Sequence, residues 1–206
     1  MPNPKQKEYF DSLAKDWDKI VVHDLSKIKK IMDIFDLRPG MVVMDVGTGT
    51  GVLIPHLLAL VGVNGKVVAV DYSEKMLEVA MNKFPPARYP NLEYVCADIN
   101  DVPMSGEYDA IMCYSCFPHF IDQPKTVKHM SKGLKKGGRL MIAHSSSRDE
   151  INRIHLETGE VVMTDYLPAM KDLCFMLEDA GLEVVKAIDN EEMYVVLAVN
   201  SRNCSK

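Results

Sequence analysis

The stretch "DVGTGTG", residues 45–51, sets an acid ahead of glycines at alternate positions, Gly47, Gly49 and Gly51, with Thr48 between the first two. Glycine reaches positive φ and leaves no Cβ between backbone and ligand, so such a run suits a close approach. Three readings compete: a phosphate, a nucleoside with a charged tail, or a tight turn with no ligand. A phosphate-cradling loop needs Lys followed by Ser or Thr after its last glycine, and Val52 and Leu53 stand there instead. A dinucleotide site is spaced G-x-G-x-x-G, whereas this run is G-x-G-x-G with Asp45 beside it, where a carboxylate opposes a pyrophosphate. The chemistry favours a ligand with an ammonium or sulfonium near the loop. Two later acids extend the site. Asp71, ending "VVAVD", is placed to accept both hydroxyls of a ribose, and Asp98, in "CADIN", to accept an adenine amino proton.

Histidine supplies the second group. His119 follows "CYSCFP", His144 ends "GGRLMIAH", and His155 closes "SSSRDEINRIH". If 148–155 forms a helix over the sheet rim, the three imidazoles converge. Otherwise they are separate, hydrogen-bonded surface or core histidines; one of them, with His119 first in line, is also a candidate general base. A third reading is a divalent transition metal held by two or three of them with Asp122, Asp149 or Glu150. The spacing of Cys113, Cys116 and His119 invites a soft metal, but an extended strand points residues 113 and 116 to opposite faces, so inert buried thiols are expected. In "HSSSRD", Arg148 suits a carboxylate or phosphate, although the hydroxyls there equally suit a helix cap.

Positioning these groups requires an alternating fold. Strands are expected at 41–46, 66–71, 92–96, 108–113 and 139–144, mostly continuous apolar runs of the kind covered on both faces. Helices are expected at 52–61, 73–84, 123–135 and 164–180, with Ser73 as an N-cap. Residues 182–200 hold two β-rich runs with no helix between them, which must pair antiparallel. The sum is a doubly wound, mostly parallel sheet closed by a hairpin. Ahead of it, residues 1–37 read as a helical lid, with Phe10, Leu13 and Trp17 on one helical face.

The 206 residues suit one domain, and a net charge of −5 argues against a DNA partner. The five cysteines do not make a disulfide framework in a chain this long. With no apolar signal core and no run of the roughly 18–20 apolar residues of a membrane span, a cytoplasmic protein without membrane attachment is expected. Neither the acceptor nor the oligomeric state is written in the sequence.

In order and spacing, "DVGTGTG", "VVAVDYSEKML", "CADIN", "YDAIMCYSCFPHF" and "LKKGGRLMIAH" resemble the class I S-adenosylmethionine-dependent methyltransferases of the small-molecule type, over residues 41–144. "YFDSLAKDWD" looks like the corresponding segment of those related to quinone biosynthesis. The resemblance implies a Rossmann-like seven-stranded α/β sheet and S-adenosylmethionine as cofactor. It puts Gly47, Thr48, Gly49 and Gly51 along the methionine part, with Asp45 and the Cys113 carbonyl near its ammonium. It puts Asp71 on the ribose, Tyr72 and Met76 against the adenine, and Asp98 and Ile99 along the adenine edge. A small-molecule methyl acceptor is expected at the histidine rim, where a base or metal at His119, His144 and His155 would act. The rival readings are a non-catalytic binder of the cofactor, and a methyltransferase acting on protein or RNA.

Overall fold

A computed structural model describes residues 4–201; residues 1–3 of the expected lid and residues 202–206, with Cys204, lie outside the described residues. Seven strands form one sheet: β1 (Val42–Val46), β2 (Lys66–Asp71), β3 (Leu92–Cys96), β4 (Tyr108–Tyr114), β5 (Leu134–His144), β6 (Glu183–Asp189) and β7 (Tyr194–Val199). Their order is β3-β2-β1-β4-β5-β7-β6. The first five run parallel, and β7 lies antiparallel between β5 and β6. This is the doubly wound sheet with a terminal hairpin that the sequence pattern predicts.

Alternation explains how short apolar runs hold two layers together. In β4, Ile111 and Cys113 join one core, while Ala110 and Met112 join the other. The first core is closed by α6 (Gln123–Gly133) and α8 (Met170–Asp179), the second by α3 (Leu25–Phe35) and α4 (Ile54–Val61). Helix α3 presents Ile28, Ile31, Met32 and Phe35 inward at i, i+3, i+4 and i+7. Asp24 caps it, accepting from Ser26 N at 2.8 Å. Ser73 caps α5 (Glu74–Lys83) as expected, its Oγ accepting from Met76 N at 3.1 Å.

Three expectations needed correction. The helix expected at 164–180 starts only at Met170, because Pro168 biases the residue before it toward extended backbone. A separate helix, α7 (Arg148–Thr158), precedes that loop and covers the sheet rim. The helix expected at 123–135 ends at Gly133, and "LKKGG" already belongs to β5. The N-terminal stretch breaks after α1 (Pro4–Leu13) into a turn and the short α2 (Trp17–Ile20), so Phe10 and Trp17 do not share one helix. Among the described residues no helix is long and apolar enough to cross a membrane.

β1 sits between β2 and β4, so the connections leaving it and β3 travel to opposite sides of the sheet. A crevice opens at such a switch point, outside the carboxyl ends of the strands, where ligands of open α/β sheets bind.

Candidate active site

A cavity of about 650 Å³ occupies that crevice, within the roughly 300–1,000 Å³ range of small-molecule sites. Its first half is the glycine loop, and the three glycines are there for different reasons. At Gly47, φ +67°, a Cβ would stand 2.6 Å from Cys116 Cβ; at Gly51, φ +86°, it would stand 2.8 Å from Ile54 Cδ1. Those two are bare so that protein can pack on them. At Gly49, φ +54°, a Cβ would meet nothing within 4 Å. Gly47 and Gly49 both border the cavity, and of the two only Gly49 has open space where a Cβ would stand.

Gly49 N also donates to Asp71 Oδ2 at 2.8 Å, and Ser73 N donates to Asp71 Oδ1 at 2.8 Å. The carboxylate at the end of β2 is thereby fixed by two backbone amides, while burial pushes its pKa up to about 6. Asp98 borders the cavity one strand over and accepts from Asn100 N at 2.8 Å, starting the 3-10 turn Ile99–Asp101. Thr48, Tyr72, Met76 and Ile99 border the cavity too. Asp45, Gly51 and Cys113 do not. Asp45 is 2% exposed beneath the loop, takes a 2.7 Å hydrogen bond from Thr48 Oγ1, and is pushed by burial up to about 7. Cys113 falls short because β4 runs one residue further, leaving Tyr114 and Ser115 at the cavity.

The second half is built on Asp165, in the loop between α7 and α8. Its Oδ2 lies 2.7 Å from His119 Nδ1 and accepts from Gln6 Nε2 of α1 at 2.7 Å. Its backbone carbonyl lies 2.9 Å from His155 Nδ1 on α7. The His119 and His155 rings stand 5.0 Å apart, and Phe10 packs edge-on against His119 at 5.1 Å. His144 borders the same cavity but bonds to neither. It is buried to 1% exposure, and burial, then the nearby His119 and His155, push its pKa down to about 3.

The expected metal site at His119, His144 and His155 is not assembled. Among the described residues no group of three or more His, Cys, Asp or Glu is arranged to hold a metal. The Nδ1 atoms of His119 and His155 are turned to Asp165, and the expected carboxylates are engaged elsewhere. Asp122 caps α6 through Lys125 N at 3.0 Å, Asp149 pairs with Arg148 at 3.2 Å, and Glu150 pairs with Arg153 at 2.8 Å. Arg148 also faces Asp189 at 3.6 Å, and Ser147 caps α7, so "HSSSRD" serves structure more than anion binding. Cys116 donates to Val46 O at 3.1 Å, and Cys113 Sγ lies 3.4 Å from Met130 Sδ.

The N-terminal segment is pinned across both halves. Asp11 accepts from Ser73 Oγ, Asp18 from Thr50 Oγ1, and Gln6 Oε1 from Tyr72 OH at 3.2 Å. On the far side His23 Nδ1 meets Tyr114 OH at 3.0 Å, and Lys27 Nζ donates to Ser145 O at 3.0 Å. Asp165, Gln6, His23 and Tyr114 were not foreseen. Pro168 was the one signal that residue 165 lies in a loop.

Residues 37–199 match the model of a family described as a methyltransferase domain. The chain belongs to the class I S-adenosylmethionine-dependent methyltransferases. The ubiquinone/menaquinone biosynthesis C-methyltransferase of Vibrio parahaemolyticus is 30% identical to it over 213 residues, covering 88% of this chain and 82% of that one. A demethylmenaquinone methyltransferase of Lactococcus lactis is 30% identical over 146 residues, covering 68% of this chain and 58% of its own length. A crystal structure of a SAM-dependent methyltransferase from Aquifex aeolicus aligns with TM-score 0.72 at 26% identity, over 92% of this chain and 97% of that one. The fold alone is shared with Haemonchus contortus phosphoethanolamine N-methyltransferase 2 in complex with S-adenosyl-L-methionine, at TM-score 0.73 and 16% identity, over 93% of this chain and 57% of that one.

The chain is thus an enzyme of methyl transfer that uses S-adenosylmethionine. The residues present fit that group: a backbone cradle at Gly49 that a Cβ would fill, and a buried carboxylate at the end of β2.

Proposed function

We propose that this methyltransferase acts on a small, largely apolar acceptor carrying a hydroxyl, and that His119 is the general base. The observation that carries the reading is the 2.7 Å contact between His119 Nδ1 and Asp165 Oδ2. A carboxylate on Nδ1 fixes the tautomer, leaving Nε2 as the basic nitrogen, and stabilises the imidazolium formed when a proton is taken. Asp165 itself stands behind the cavity wall, so it acts as a positioning residue.

When bound, S-adenosylmethionine supplies a methyl group on a positively charged sulfur, open to in-line displacement. Gly49 and Thr48 would carry its amino-acid part, Asp71 its ribose hydroxyls, and Tyr72, Met76, Asp98 and Ile99 its adenine. Asp45 would support this loop from beneath through Thr48. The chain's remaining task is to orient an acceptor and remove its proton. The rings of Phe10 and His155 flank His119 and limit where an acceptor can lie.

Three features support a small acceptor over protein or RNA. The segment from α1 to α3 spans the crevice and is tied to both halves. The cavity carries an apolar lip, with Ile20 at 56%, Val22 at 84% and Ile121 at 73% exposure. Relatives named for ubiquinone, menaquinone and demethylmenaquinone make a hydroxylated ring the first acceptor to try. A non-catalytic binder would have no use for a histidine held by a carboxylate.

The test is a panel of acceptors, hydroxylated aromatic rings, thiols, amines and RNA, followed by release of S-adenosylhomocysteine. Turnover is expected with hydroxylated rings and not with RNA, and unchanged by a chelator. Preferred methylation of RNA, or loss of activity on chelation, contradicts the reading.

A further inference from the structure

His144 is the odd residue of the cavity. It ends β5, paired with Tyr194 of β7 across the antiparallel ladder. Neither Nδ1 nor Nε2 has a hydrogen-bond partner. Among the described residues the other buried side-chain nitrogens without a hydrogen bond are the Nε atoms of Arg139 and Arg148, the latter 3.6 Å from Asp189 Oδ2. Each of those guanidiniums is held through another nitrogen, Arg139 Nη1 to Phe35 O at 2.9 Å and Arg148 Nη2 to Asp149 at 3.2 Å. His144 is a whole imidazole left unpaired.

Its neighbours are engaged and do not turn to it. Tyr194 OH donates to Pro168 O at 3.1 Å, Tyr114 OH to Ser145 Oγ at 2.8 Å, and His119 and His155 point Nδ1 at Asp165. Buried polar side chains are hydrogen-bonded as a rule, and one that is not calls for a reason. Here the ring borders the cavity, so a ligand can supply the partner.

We propose that His144 is the acceptor-recognition residue: a buried, unpartnered imidazole at the end of β5 that hydrogen-bonds a hydroxyl or carbonyl oxygen of the methyl acceptor. The inference rests on the small-acceptor reading above and deepens it. Burial keeps the ring uncharged, its pKa pushed down to about 3, so it offers one donor and one acceptor and no positive charge. A hydroxyl matches either nitrogen, because it both donates and accepts. Arg148, the guanidinium nearest in sequence, is already paired with Asp149 and Asp189. His144 thus suits an oxygen-bearing acceptor that can donate or accept a hydrogen bond.

The experiment uses the whole chain saturated with S-adenosylhomocysteine, and two probes of matched shape, 2-naphthol and 2-methylnaphthalene, titrated by calorimetry. The wild type is expected to bind 2-naphthol at least tenfold more tightly than 2-methylnaphthalene. His144→Phe is expected to erase that preference while keeping its affinity for S-adenosylhomocysteine. It should also melt a few degrees higher than wild type, because an unpaired buried imidazole has been removed. His144→Asn or His144→Gln, which keep a donor and an acceptor, should restore part of the preference. A wild type that binds both probes equally or neither, or a His144→Phe protein that keeps the preference, overturns the proposal. His119→Ala separates the two readings: lost methyl transfer with intact 2-naphthol preference supports both, and unchanged transfer removes the base while leaving the role of His144 standing.

Discussion

The two halves of the cavity are assembled by different rules. At the glycine loop, polar groups are satisfied by near neighbours: Asp45 by Thr48, Asp71 by Ser73 and, across one strand, Gly49, and Asp98 by Asn100. At the histidine rim, Asp165 gathers distant segments, its carboxylate holding Gln6, 159 residues away, and His119, 46 residues away, and its carbonyl holding His155. The halves also respond oppositely to acid. Asp45 and Asp71 hold protons up to about 7 and about 6, against 3.8 for an exposed Asp. His144 is pushed down to about 3 from 6.5, and His23 and His155 also lie below 6.5, chiefly through burial. Burial thus raises the acids beneath the local motif and lowers His144, His23 and His155 around the long-range rim.

The comparison breaks most visibly at Asp71. Asp71→Ala should weaken S-adenosylmethionine binding on the order of a hundredfold or more, from lost hydrogen bonds to a charged group. Calorimetry on the variant checks this, and a change under fivefold would mean the ribose is held elsewhere. Asp165→Ala should leave the glycine loop intact and lower turnover by roughly a hundredfold, since small displacements of a catalytic group cost that much. The tether from Gln6 is lost with it, so cofactor affinity should fall only a few-fold.

That contrast explains what could be read in the sequence. The strands came through because β1, β2 and β4 are short apolar runs whose alternate residues feed two cores, and a parallel sheet demands that pattern. Thr48, Asp71 and Asp98 border the cavity where their motifs suggest, because they sit in a local loop or at strand ends. Asp45 and Cys113 show the limit: a motif gives the neighbourhood, while burial depth and one extra residue of β4 decide which atoms reach the cavity. Asp165 escaped because its partners are distant in sequence and its loop follows a helical pattern until Pro168. The three histidines are legible in the sequence, but not that Asp165 would hold His119 by its carboxylate and His155 by its backbone carbonyl and leave His144 bare.

Opposite acid responses give a smaller, sharper test. Between pH 7 and 5 the folded protein takes up protons at Asp45 and Asp71 before the unfolded chain does, so these groups raise the stability of the ligand-free protein as pH falls. Below about 6.5 the unfolded chain protonates its histidines first, so His144 lowers stability as pH falls. Asp45→Asn should therefore make the ligand-free protein more acid-sensitive, and His144→Phe less so. Each shift should be a few degrees in Tm, since one pKa unit is worth about 1.36 kcal/mol and 1 kcal/mol moves a domain this size by roughly 2–4 °C. Melting curves from pH 7.5 to 5 measure both, and slopes of the same sign would refute the distinction. The smallest effect belongs to Arg148, whose ion pairs hold α7 and β6 at the surface. Arg148→Ala should change stability by within about 0.5 kcal/mol and leave acceptor KM alone.

The most direct measurement is single-turnover methyl transfer by His119→Ala beside calorimetry of S-adenosylhomocysteine on the same protein. A general base at the rim predicts transfer slowed by roughly 10²- to 10⁴-fold, with cofactor affinity unchanged within twofold. Transfer at the wild-type rate, or affinity falling in step with it, would contradict a base that belongs to the acceptor half alone.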